Sequence, residues 1–69
     1  MKLSARNVLK GKIIEVKKGA TTAHVRIQLP GGPVIISSIT NEAVDELQLA
    51  TGDDAYALIK ASDVMVGRD

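Results

Sequence analysis

The sequence predicts an all-β fold with one short helix, and three observations carry that prediction. Ala23-His24-Val25-Arg26-Ile27-Gln28-Leu29 alternates apolar and polar residues without a break, the pattern of a strand with one buried face. Pro30-Gly31-Gly32-Pro33 then separates it from the β-branched run Val34 to Ile39. Pro restricts φ and Gly permits positive φ, so the two runs form a hairpin. Helical spacing occurs once, between Asn41 and Leu47.

The remaining elements follow in order. Val8 to Lys17 reads as a first strand, with Gly11 weakening it and marking a bulge. Lys17-Lys18-Gly19-Ala20-Thr21-Thr22 is the connecting turn. In the helix, Ala43, Val44 and Leu47 form the apolar side and Glu42, Asp45 and Glu46 the acidic one. Thr40 or Asn41 caps its start, where Glu42 complements the dipole. After the turn Thr51-Gly52-Asp53-Asp54 come two more strands, Ala55 to Ala61 and Val64 to Val66. The order β-β-β-α-β-β in 69 residues suits a five-stranded Greek-key barrel of the OB type, one domain spanning 1–69.

Such a barrel is expected to be oligomeric. Its core must come from 22 Ile, Val, Leu and Met side chains and a single aromatic, Tyr56. Small domains compensate for a thin core with disulfides, a metal or other subunits. The chain has no Cys and one His, which removes disulfides and thiolate zinc sites and leaves association. Both faces of the later strands are also apolar: Val34 and Ile36 oppose Ile35 and Ile39, and Tyr56 and Leu58 oppose Ala55, Ala57 and Ile59. An outer apolar face suits a subunit contact, against the plainer reading of ordinary variation in short strands.

Composition narrows the function classes. Nine Lys and Arg against eight Asp and Glu give a net charge of +1, without the excess that marks nucleic-acid or membrane binding. Apolar runs such as Val34-Ile35-Ile36 are too short to span a bilayer, and no apolar stretch follows Lys2, so neither a membrane span nor a signal peptide is expected. A cytoplasmic location follows by default. His24 falls on the polar side of an alternating strand, and Asp45, Glu46, Asp53 and Asp54 on a helix surface and a turn. These positions suit solvated groups rather than acid–base or nucleophilic catalysis, so no enzyme activity and no catalytic cofactor are expected. The alternative of an OB-type single-stranded nucleic-acid-binding module rests on fold class, with Tyr56 as the sole stacking platform.

Anion binding has more support. Ser4-Ala5-Arg6-Asn7 concentrates a hydroxyl, backbone N–H groups, a guanidinium and an amide, and Lys60-Ala61-Ser62 an ammonium and a hydroxyl. Thr40 adds a hydroxyl beside the start of the helix, where unpaired N–H groups favour negative charge. Lys18-Gly19-Ala20-Thr21-Thr22 is a tight turn able to form a backbone nest. None of these four segments contains a carboxylate. Each also has an ordinary role, in caps, strand ends or turn geometry.

In register, the segments resemble the molbindin (Mop) family and its related TOBE-type molybdate-binding domains. The likeness consists of Ser4-Ala5-Arg6-Asn7 followed by Leu9-Lys10-Gly11-Lys12-Ile13, then Lys17-Lys18-Gly19-Ala20, Ile39-Thr40 and Leu58-Ile59-Lys60-Ala61-Ser62-Asp63-Val64. It runs from about Leu3 to Val66. The resemblance implies a hexamer, a trimer of dimers, that stores or buffers molybdate and tungstate. By this likeness Ser4, Ala5, Arg6 and Lys60 of one chain, joined by Ser62, would meet Thr40 and the helix start of a neighbour around one oxyanion. A second class of site near symmetry axes would use Lys18, Gly19, Ala20, Thr21 and Thr22. Two positions depart from the pattern: Ala43 stands where many relatives have Ser, leaving only its backbone N–H to donate, and His24 where relatives often have an acid. Molybdate near neutral pH is a tetrahedral dianion without protons, so a pocket of donors without carboxylates fits it.

Overall fold

A strand of 12 residues organises the sheet. In the computed structural model, which describes residues 1–69, β1 (Asn7–Lys18) pairs antiparallel with β2 (Thr22–Gln28) on one side and β4 (Asp54–Ile59) on the other. β3 (Val34–Thr40) pairs antiparallel with β2, giving the order β3-β2-β1-β4. Three consecutive strands with a fourth returning beside the first make the expected Greek key. The return connection carries α1 (Asn41–Glu46).

β2 follows its pattern residue by residue. Ala23, Val25 and Ile27 are buried while Thr22, His24, Arg26 and Gln28 are exposed. The six buried residues of the chain are Ile13, Ala23, Val25, Ile27, Val44 and Ala57, all apolar. Val16, Leu29, Ile35, Ile39, Leu49 and Ala55 pack around them, half-buried. This layer is thin, as the composition implied.

The bulge in β1 lies elsewhere than expected. The register runs Ile13↔Ile27 and then Glu15↔Arg26, leaving Ile14 as the extra residue. That insertion lets Ile13 and Val16, three positions apart, both face the core. Gly11 has a different task. A β-carbon there would stand 2.6 Å from the Gln28 carbonyl oxygen and 2.7 Å from Ile27 Cγ2. The two strands approach too closely at this point for any side chain.

Two further expectations need correction. Only Val44 anchors α1 in the core, whereas Leu47 is 66% exposed. The helix stops at Glu46, and Gln48 turns the chain with φ 53°, so that the Leu49 N–H bonds the Val44 carbonyl and the chain leaves before Leu47 can reach the core. The sheet also has four strands, not five. β4 ends at Ile59, a short 3₁₀ helix covers Ala61–Asp63, and Val64 to Val66 form no strand. Met65 is 94% and Val66 93% exposed. Val64 and Val66 are β-branched and favour a strand, but a strand needs a pairing partner, and these residues pair with none. The antiparallel sheet is therefore a curled half-barrel with β3 and β4 as its edges. Residues of both edge strands, including Ile36, Ile39, Tyr56 and Leu58, line an apolar cleft of about 630 Å³, joined by Met1 and Leu47.

Candidate functional site

The donor segments gather at the two ends of β1. At its start, the pairing Asn7↔Ile59 sets the segment before Asn7 beside the segment after Ile59. Ser4, Ala5 and Arg6 are thus carried at the same end of the β1–β4 pair as Lys60 and Ser62. The Asn7 side chain closes the junction by donating from Nδ2 to the Ile59 carbonyl at 3.1 Å. Lys60 precedes the 3₁₀ helix with extended backbone (φ −64°, ψ 141°), and the Asp63 N–H returns to its carbonyl at 2.9 Å. Ser4, Arg6, Lys60 and Ser62 are exposed and Ala5 half-buried. The ion pairs of the chain are Lys10–Asp54, Lys18–Asp45 and Arg26–Glu15. Arg6 and Lys60 are therefore exposed and have no ion-pair partner within the chain.

Thr40 lies at the other end. It pairs with Thr22, and Lys18 with Ala23, so β1, β2 and β3 all place their turn-side ends here. Between Asn7 and Lys18 the strand spans 12 residues, a path of about 36 Å at about 3.3 Å per residue. Within one chain Thr40 and Ala43 are on the opposite end of the sheet from Ser4, Arg6 and Lys60. The cap at α1 is Thr40, whose Oγ1 accepts from the Ala43 N–H at 3.0 Å. That N–H is thus engaged, while the Thr40 hydroxyl proton is free to donate.

The turn from Lys18 to Thr22 is closed by the Gly19 N–H, which donates to the Thr22 carbonyl at 2.7 Å. A β-carbon on Gly19 would approach that same oxygen to 2.9 Å, so the tight closure favours glycine. The N–H groups of Ala20 and Thr21 find no acceptor in the chain. Lys18, by contrast, is paired with Asp45 of α1. A residue the sequence reading treated only as a cap candidate, Asn41, bonds this turn twice: Nδ2 to the Gly19 carbonyl at 3.0 Å and its backbone N–H to the Thr21 carbonyl at 2.9 Å. Its Oδ1 is buried without a partner. The only sequence signal was a polar side chain at the first helical position, which by itself names no partner.

No group of three or more His, Asp or Glu side chains comes together as a cation site. No helix is long and apolar enough to cross a membrane. The arrangement offers N–H, O–H and cationic donors at both ends of β1, which is chemistry for holding an anion.

Comparison with known proteins agrees with the architecture. Residues 3–66 match the TOBE domain model. A probable molybdenum-pterin-binding protein of Haemophilus influenzae is 51% identical over 67 residues, 97% of each chain. The structure of MopII from Clostridium pasteurianum superposes with a TM-score of 0.91 at 42% identity, covering 97% of this chain and 100% of that one. The cytoplasmic molybdate-binding protein ModG, in a form with molybdate bound, superposes with a TM-score of 0.90 at 48% identity over 94% of this chain and 46% of its own. With this sheet order and these matches over nearly its whole length, the chain belongs to the TOBE domain family, among the molbindin (Mop) proteins.

Proposed function

We propose that this protein binds molybdate and tungstate in the cytoplasm, without catalysis, as a store or buffer of these oxyanions. The observation that carries the proposal is that Arg6 and Lys60, both exposed and free of internal ion pairs, stand at the same end of the β1–β4 pair, which the Asn7↔Ile59 register sets. Cations without a carboxylate partner, at one sheet end with hydroxyl and amide donors, favour an anion there. The similarity to molybdate-binding ModG and to molybdenum-pterin-binding relatives supports molybdate as that anion.

The site is proposed to lie between subunits. Ser4, Ala5, Arg6, Lys60 and Ser62 of one chain would meet Thr40 and Ala43 of another, because one chain holds these two groups at opposite ends of its sheet. With its own N–H engaged, Ala43 would serve through the cap geometry it gives Thr40. The apolar cleft between the β3 and β4 edges, with Ile36 57% and Tyr56 52% exposed, supports association. We propose a hexamer built as a trimer of dimers, in which the barrel reaches five strands as Val64 to Val66 pair with a sheet edge. Lys18, Gly19, Ala20, Thr21 and Thr22 would form a second site near a symmetry axis.

Calorimetry with sodium molybdate, tungstate, sulfate and phosphate tests the reading, with native mass spectrometry to count chains and ions. Heat from the two larger ions and a bound complex of six chains are expected. Absence of molybdate binding, or sulfate binding of equal strength, would refute it.

A further inference from the structure

The turn between β1 and β2 is held from outside by one residue, and peptide geometry determines the consequence. Asn41 binds the carbonyls of Gly19 and Thr21, one through its side chain and one through its backbone. In a trans peptide the C=O and N–H of one unit point in opposite directions. Fixing the Gly19 carbonyl toward α1 therefore turns the Ala20 N–H away from α1. Fixing the Thr21 carbonyl does the same for the Thr22 N–H. The Gly19 and Thr21 oxygens, which would repel an anion, face the helix, and the Ala20 and Thr22 N–H groups face the other way.

We infer that Asn41 is the positioning residue of a backbone nest at Ala20–Thr22 that takes a tetrahedral oxyanion, an inference resting on the proposed oxyanion binding. Two observations separate this role from ordinary capping. Thr40 already caps the helix through the Ala43 N–H, so the Asn41 side chain is not needed there. The Asn41 amide also leaves its Oδ1 buried and unpartnered, so its one side-chain bond, to the Gly19 carbonyl, sets its orientation. The turn in its own right supplies little: Gly19 closes it, but only one of its N–H groups is engaged that way. Asn41 is what sorts acceptors from donors.

The test is a titration with sodium molybdate, counting ions per chain by native mass spectrometry, on wild type, Asn41→Ala and Asn41→Leu. Leu retains the volume without the donor. Each is repeated with Lys60→Ala, which disables the other proposed site, and amide exchange is followed at Gly19. The expected result is fewer ions per chain in both Asn41 variants, with the remaining ions lost on adding Lys60→Ala. The Gly19 amide is expected to exchange at least tenfold faster, with or without molybdate. Full ion counts at wild-type affinity, or unchanged Gly19 exchange, would overturn the role of Asn41 and leave the oxyanion reading standing. Loss of every ion in the Asn41 variants would also overturn it, since the effect would not be confined to the turn. A wild type that binds no molybdate would remove the oxyanion reading, and the nest with it.

Discussion

The two ends of β1 differ in how much of their polar chemistry is already engaged. At the Asn7 end, two cations and two hydroxyl groups face solvent, and a single side-chain hydrogen bond, from Asn7 to Ile59, holds the junction. At the Lys18 end, Asn41 holds two carbonyls, Thr40 caps α1 and Lys18 has a carboxylate partner. The first end has strong unneutralised donors and little preorganisation. The second is preorganised, but the Lys18 ammonium at its turn is already paired with Asp45. Affinity at the first should depend on completion by another subunit, and affinity at the second on displacing what the chain itself supplies.

The largest expected effect comes from joining the fates of both ends. Gly11 lies within β1 between them, against the backbone of Gln28. Gly11→Ala forces a β-carbon into a contact of 2.6 Å with a carbonyl that cannot move away freely. Overpacking of this kind costs about 1–3 kcal/mol. In a chain with six buried residues that is a large share of the total. Denaturant unfolding should show the loss, and molybdate binding at both ends should fall together.

Next in size is Lys60→Ala, which separates the ends. An ammonium donating to a dianion contributes about 1.5–3 kcal/mol, so affinity at the Asn7 end should fall roughly ten- to a hundredfold. The midpoint of unfolding should stay within experimental error, because Lys60 is exposed and pairs with nothing in the chain. Calorimetry and thermal melts on the same samples check both halves. Unchanged affinity would take Lys60 out of the site.

Thr40→Ala acts on the better-ordered end and reads out both stability and binding. Losing the cap that accepts from the Ala43 N–H should cost about 1 kcal/mol of stability. A shift of several degrees in the melting temperature would show it. Thr40→Ser should restore most of the loss, because Ser supplies an equivalent oxygen. If the Thr40 hydroxyl also donates to the oxyanion, Ala lowers affinity beyond the change in stability and Ser recovers it.

The sequence exposed some of this contrast and hid the rest. β2 was legible because each of its positions obeys one alternation, and the structure buries Ala23, Val25 and Ile27 accordingly. The Greek-key order was legible for the same reason, with strands and a single helix separated by Gly- and Pro-rich turns. The bulge was misplaced because Gly11 carries the visible signal, while Ile14, the inserted residue, looks like any strand residue. Val64 to Val66 has strand composition, but pairing is a property of two segments, and this one pairs with none within the chain. Donor segments 4–6 and 60–62 could be named singly; their meeting depends on a register between residues 52 positions apart. Asn41 was invisible in its main role because its partners at Gly19 and Thr21 lie across the sheet, not along the helix.

The smallest predicted effect probes Lys18, whose ammonium is paired at the preorganised end. Lys18 and Asp45 form an ion pair whose side chains are 47% and 65% exposed. A pair in that setting contributes about 0–1 kcal/mol, so Asp45→Asn should leave the unfolding midpoint nearly unchanged. Its effect on binding has the opposite sign to that of the other substitutions. Asp45 competes with any anion at the turn for the Lys18 ammonium and also repels the anion directly. Removing the carboxylate charge should therefore raise molybdate affinity at the Lys18 end by a few-fold and leave the Asn7 end alone. The gain should shrink as salt is raised from low to physiological ionic strength, because exposed charges are screened over about 8–10 Å. A titration of Asp45→Asn in the Lys60→Ala background, at two salt concentrations, isolates that end. Weaker binding there would mean that Asp45 acts by holding Lys18 in place for the anion, and the contrast between an unengaged end and a self-neutralised one would not hold.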